Sequence, residues 1–169
     1  MCAVLDLRSF PLHPGQATRI PVPLELHRLT QAGDAYDPLP AKVQGELQIT
    51  RLASGRLFDL SFHASTFGPC QRCLGEARLD MAIDGQEYQD DSPELGAEDD
   101  MTTPYLTGEL LDVDRWAQDA LVLAMPLRVL CREDCAGLCP HCGIDLNSGT
   151  CECVPEQDDT RWEALRDLL

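Results

Sequence analysis

Aromatic side chains are scarce, at 5% of the 169 residues, while glycine and proline number 12 each. That balance excludes the large aromatic-rich core of an ordinary enzyme domain and predicts a loop-rich chain of short elements. Long apolar runs are missing as well, and none approaches the roughly 20 residues of a membrane span. Basic residues are few: 13 Lys and Arg stand against 29 Asp and Glu, for a formal charge of -16. Such a deficit weighs against wide contact with nucleic-acid phosphates, which calls for a basic surface. H-E-x-x-H, G-x-S-x-G and glycine-rich phosphate loops are absent too, so no catalytic residue and no small-molecule substrate are assigned. The opening MCAVLDLRSFPLHPGQ lacks the basic and apolar regions of a secretory signal, and the expectation is a cytoplasmic protein.

Cysteine, by contrast, is abundant, with nine in the chain. In a reducing compartment a disulfide framework is the less favoured use of them. Setting aside Cys2 near the terminus, eight fall into four pairs: Cys70/Cys73, Cys131/Cys135, Cys139/Cys142 and Cys151/Cys153. Cys139-Pro-His-Cys142-Gly143 has the form of a zinc knuckle, with a small residue after the second thiolate so that backbone amides can turn toward sulfur. Asn147-Ser148-Gly149 is a turn signal that folds the chain back. Cys151 and Cys153 then arrive as alternate residues of an extended segment, on one face. Four convergent thiolates make a closed structural site, so Cys139, Cys142, Cys151 and Cys153 are the first candidate zinc ligands.

Parity extends the argument to a second zinc, held by Cys70, Cys73, Cys131 and Cys135 and tying the two halves of the chain together. Two other partitions stay open: a bridged six-cysteine cluster over Cys131 to Cys153, and a single site that recruits one flanking pair. In the plainest alternative, Cys70 and Cys73 are small buried apolar residues. A redox role is disfavoured because neither C-x-x-C pair opens a helix after a strand. His141 lies inside a knuckle whose ligands are already supplied. His13, His27 and His63 stand alone.

The rest of the chain predicts an α+β fold: a small antiparallel β-meander or barrel-like core, one packed helix and a C-terminal zinc-ribbon-like module. Apolar residues alternate in KVQGELQIT, RLFDLSFHA and ARLDMAIDG, with a hairpin at Ser54-Gly55, so residues 42–84 read as three strands. Cys70 and Cys73 sit in the turn between the second and third. Residues 1–84 form the N-terminal β domain, beginning with a Pro-rich arm. Residues 85–107 are expected to be a flexible acidic linker, because Asp84 to Asp100 carries eight acids and no base and cannot bury enough apolar area to order itself. Val113, Trp116, Ala117, Ala120, Leu121 and Ala124 recur at three and four, so 108–130 holds a helix that begins near Asp112, is stopped by Pro126 and packs on the strands. Residues 131–169 make the Cys-rich module. It ends in a short helix with a capping box at Thr160 and Glu163.

CQRC, the acidic stretch, DVDRWAQDALVLAMPLRVLC, CREDCAGLCPHCGIDLNSGTCEC and a terminal DDTRWEAL, in that order, resemble the large ribosomal RNA subunit accumulation (YceD-like) family of bacteria and plastids, from about residue 40 to the C-terminus. The resemblance implies a non-enzymatic role in accumulation of large-subunit (23S) ribosomal RNA and hence in ribosome assembly. Two Cys₄ zinc sites would bring the charge to about -20. An acidic protein in that role suits a basic ribosomal protein or a large-subunit assembly intermediate as partner. Direct RNA contact would need a local basic patch, for which Arg72, with Arg51, Arg56 and Arg78, is the weak candidate.

Overall fold

The computed structural model describes residues 4–91 and 101–153. Antiparallel sheet dominates. Strands β1 (Val4–Asp6), β2 (Ala17–Glu25), β3 (Leu29–Gln31), β4 (Asp34–Pro38), β5 (Lys42–Arg51), β6 (Gly55–Pro69) and β7 (Glu76–Asp90) are followed by the short β8 (Leu106–Thr107) and β9 (Leu110–Asp112), then by helix α1 (Val113–Ala124). The main sheet runs β2-β5-β6-β7. β4 takes up the same edge of β6 as β5, opposite Thr66 and Phe67, and carries β3 outside it. No pairing among the described residues joins β2 to β7, so the sheet is open rather than closed into a barrel.

The expected hairpin is present, with Arg51 opposite Arg56 and the Leu52 amide bonded to the Gly55 carbonyl at 2.9 Å. Gly55 has no alternative there, since a Cβ would stand 2.2 Å from the Gln89 carbonyl oxygen. Alternation then builds one apolar face: Leu47 and Ile49 of β5, Phe58, Leu60 and Phe62 of β6, and Ile83 of β7 are all buried.

Two expectations are corrected. The Pro-rich arm contains β2, which pairs with β5 over nine residues and buries Val22 and Leu24. Its prolines 21 and 23 sit on an edge strand, where a missing N–H need not cost a ladder bond. Residues 85–90, expected in the acidic linker, continue β7, and β8 lies at 106–107. Asp84 to Asp90 therefore belong to the sheet, and Asp91 pins the hairpin end by pairing with Arg51 and Arg56. Residues 92–100 and the terminal helix predicted around Thr160 lie outside the described residues.

Helix α1 begins and ends as its caps dictate. The Asp112 carboxylate accepts the Arg115 amide, and Pro126 follows the last turn. Trp116, Ala117 and Leu121 face the sheet, with Trp116 lying over Gly85, where a Cβ would come within 3.1 Å of the indole nitrogen. Polar side chains lock the other contact: Asp114 accepts the Glu25 amide at 2.9 Å, and Gln118 bonds both the amide and the carbonyl of His27. Beyond the helix, residues 131–153 hold one isolated antiparallel bridge, Leu138 with Asp145, and no strand, so a zinc-ribbon hairpin is not formed among the described residues.

Candidate metal centres

Two sulfur quartets are built around these loops: Cys70, Cys73, Cys131 and Cys135 in one, Cys139, Cys142, Cys151 and Cys153 in the other, with the Sγ atoms of each all within 4.8 Å of one another. The structure brings together the eight residues singled out by spacing, in the parity partition. Neither a six-cysteine cluster nor a group that includes a histidine occurs among the described residues, and His13, His27, His63 and His141 are exposed.

The turn between β6 and β7 makes the first centre. Its knuckle closes through the Cys70 amide to the Gly75 carbonyl (2.7 Å) and the Leu74 amide to the Cys70 carbonyl (2.9 Å), with Leu74 in the left-handed region at φ 59°. The knuckle then grips the post-helix chain. Gln71 donates its amide to Val129 at 2.9 Å, and the Arg72 carbonyl accepts the Leu138 amide at 3.0 Å. Gly137 passes so close that a Cβ would meet the Arg72 oxygen at 3.0 Å, and its φ of 80° suits glycine. Cys70 and Cys135 are buried, Cys73 is half-buried and Cys131 exposed. In the second centre the Gly143 amide bonds the Cys139 carbonyl and the Cys139 amide bonds that of Ile144, both at 2.9 Å.

The donor set fits a tetrahedral thiolate metal. Cys70 and Cys135 sulfurs stand 3.8 Å apart, Cys73 and Cys131 3.7 Å, and Cys139 and Cys151 3.4 Å. A disulfide needs about 2.05 Å, whereas a tetrahedron with metal–sulfur arms of about 2.3 Å has edges of about 3.8 Å. Electrostatics point the same way. Burial pushes the Cys70 thiol up, but the amides of Cys73, Arg72 and Cys131 overcome it and bring Cys70 to about 6. The amides of Cys142 and His141 likewise bring Cys139 to about 6. Other members pay for that ionisation: burial and then the neighbouring sulfurs drive Cys131 up to about 12, and the Cys142 sulfur followed by burial does the same for Cys153. Four sulfurs this close cannot all ionise unless a cation shares their charge.

Asn147 ties the two centres together, which its place in a turn signal did not reveal. It belongs to the loop of the second centre, yet its Nδ2 reaches the Cys135 sulfur of the first at 3.5 Å, while its Oδ1 accepts the Ala136 amide at 2.7 Å and Arg132 at 2.9 Å. Asp145 fixes it by accepting both its backbone and side-chain N–H groups. Asn147→Ala is expected to weaken metal at the first centre by about 10–100-fold, as loss of a ligand-orienting partner commonly does. Chelator competition on the metal-loaded chain, native against Asn147→Ala, would measure it.

Three of the four arginines offered as a basic patch are engaged by acids. Arg56 meets Glu109 at 2.6 Å as well as Asp91, and Arg78 meets Asp80 at 2.8 Å. Arg72 alone of the four stays exposed with no ion pair among the described residues.

The sequence profile of the family described as large ribosomal RNA subunit accumulation protein YceD matches residues 58–169. This chain belongs to that family. The match takes in most of β6, and β7, α1 and both sulfur quartets. Uncharacterized proteins of Mycobacterium bovis and Mycobacterium tuberculosis are each 32% identical to it over 127 residues, 73% of this chain and 60% of theirs. One from Mycobacterium leprae is 25% identical over 134 residues, 76% of this chain and 60% of its own. The chain thus spans about 60% of the length of these curated relatives. No solved structure matches it. No helix among the described residues is long and apolar enough to cross a membrane.

Proposed function

We propose that this chain is a non-enzymatic factor in assembly of the large ribosomal subunit, supporting accumulation of its ribosomal RNA, stapled by two zinc ions and acting by binding a basic ribosomal protein. The observation that carries the reading is a surplus of carboxylates that the arginines do not neutralise: the net charge is -16, and Arg8, Arg19, Arg28, Arg51, Arg56, Arg78 and Arg132 are each already engaged by an acid. A duplex or folded RNA offers such a surface repulsion, whereas a basic protein is steered to it. Zinc at each quartet would be held by four thiolates with no position open for substrate or water, which is a structural rather than a catalytic arrangement. Bound there, it would hold the knuckle against residues 129–138 and the chain's acidic faces in a fixed relation.

Purified large-subunit ribosomal proteins and a ribosomal RNA fragment, titrated separately against the chain, test this reading. Binding to a basic protein is expected to weaken steeply as salt rises, because exposed charges are screened beyond a Debye length of about 8 Å at physiological ionic strength. Tight RNA binding at that salt, lost on Arg72→Ala, with no ribosomal protein bound, would replace this reading with direct RNA recognition.

A further inference from the structure

Among the described residues β7 pairs with a strand along one edge, and at its far end the Asp90 amide bonds the Met101 carbonyl at 2.9 Å. From Glu76 to Asp90 it pairs with β6, and no other strand among the described residues pairs with it. Against residues 82–87 lies a groove of about 500 Å³, bounded on the other side by Trp116, Ala120, Leu123 and Ala124 of α1 and by Tyr105. Six consecutive strand residues line it. Alternate residues of a strand point to opposite faces, so a groove that touches all six runs along the strand's edge and not across a face. Its length is about 20 Å, the span of six extended residues.

The wall opposite that edge is apolar and open. Leu123 is 85% exposed, and Ala124 is exposed beside it. The rim is acidic. Asp84 and Glu87 stand on β7, and Asp119 accepts the Tyr105 hydroxyl at 3.1 Å, while Arg115 lies over the Tyr105 ring. A free edge beside a helix is the geometry in which an extended peptide adds a strand, taking affinity from backbone hydrogen bonds and selectivity from the flanking side chains. Acidic side chains on the edge discourage pairing with a second, equally acidic copy of this chain, and they favour a segment of opposite charge.

We propose that the β7–α1 groove is the docking site, and that its occupant is an extended basic segment of the ribosomal protein, alternating Lys or Arg with aliphatic residues and added antiparallel to β7. The proposal rests on the reading of a basic protein partner given above. In the bound state the aliphatic side chains lie on Ala120, Leu123 and Ala124, and the cations point to the opposite face, where Asp84 stands on β7.

A ten-residue peptide of alternating lysine and valine, titrated into the full metal-loaded chain, is the probe. Ala124→Arg, which fills the groove and sets a cation in it, and Leu123→Ser, which removes its apolar wall, are each expected to weaken binding at least tenfold. Both positions are exposed, so the fold should survive, and unchanged thermal unfolding of the variants verifies it. N-methylation of alternate peptide amides should cost at least tenfold, and a glutamate-for-lysine peptide should not bind. Glu46→Gln, on β5, should leave the affinity within twofold. Equal affinity of the N-methylated peptide, or indifference to both groove variants, overturns the proposal. A ribosomal protein that binds but is neither displaced by the peptide nor affected by Ala124→Arg also overturns it, while leaving the partner reading intact. Peptide binding with no ribosomal protein bound overturns that reading and keeps the groove as a strand-adding site for basic segments. Binding of neither ends both. A dimer in sedimentation that Ala124→Arg dissolves would assign the groove to a second copy instead.

Discussion

Stripping both sulfur quartets with a chelator is expected to release residues 131–153 to protease while β2, β5, β6 and β7 stay protected. The sheet has its own core in Leu47, Ile49, Phe58, Leu60 and Ile83, all buried. Residues 131–153 have no such resource. Their regular structure is one isolated bridge, and their buried apolar residues are Cys135 and Cys139 themselves. In loops of this kind metal binding supplies the folding free energy, on the order of 10–16 kcal/mol for structural zinc in small finger peptides. Without it each quartet is left as four crowded thiols, one of them held near 12: Cys131 by burial and its neighbouring sulfurs, Cys153 by the Cys142 sulfur and burial. Limited proteolysis with mass mapping, before and after chelation, reads the result. Unchanged protection of 131–153 in the metal-free chain would contradict it.

Trp116→Ala is expected to have the next largest effect, a loss of about 3–5 kcal/mol, the usual cost of deleting a large buried aromatic. Trp116 is only 2% exposed. Its ring fills the space above Gly85 and stacks at 6.0 Å on Tyr105, so it joins the helix, β7 and the segment before β8 in one contact. For a domain of this size the loss corresponds to a fall in Tm of roughly 6–20 °C. Calorimetry measures it. A fall of under about 2 °C would mean that α1 is held chiefly by its Asp114 and Gln118 bonds to Glu25 and His27.

What could be read from the residues divides along physical lines. Helix α1 was legible because Asp112 supplies a cap, Pro126 a stop, and the apolar spacing a face. The hairpin at Ser54-Gly55 was legible because the apolar residues of β5 and β6 alternate without interruption. β7 was cut short at Asp84 because its inward positions after Ile83 are Gly85, Glu87 and Gln89. Those pack by accepting Trp116 and by bonding Thr103, not by being apolar, so the period-2 signal ends six residues before the strand does. β2 was hidden by Pro21 and Pro23, although Ile20, Val22, Leu24 and Leu26 alternate on either side of them. Spacing and parity also picked out the eight cysteines and their grouping. Spacing carries nothing, however, about Asn147 reaching Cys135, or about Gly137 lying against Arg72, because both contacts exist only once the two halves of the chain have met.

Native mass spectrometry of the chain purified without added metal, with thiols counted after denaturation, tests the central claim most directly. Two zinc ions per chain and no disulfide among Cys70, Cys73, Cys131, Cys135, Cys139, Cys142, Cys151 and Cys153 are predicted. A folded chain that carries no metal, or one whose quartets are closed as disulfides, would contradict the account.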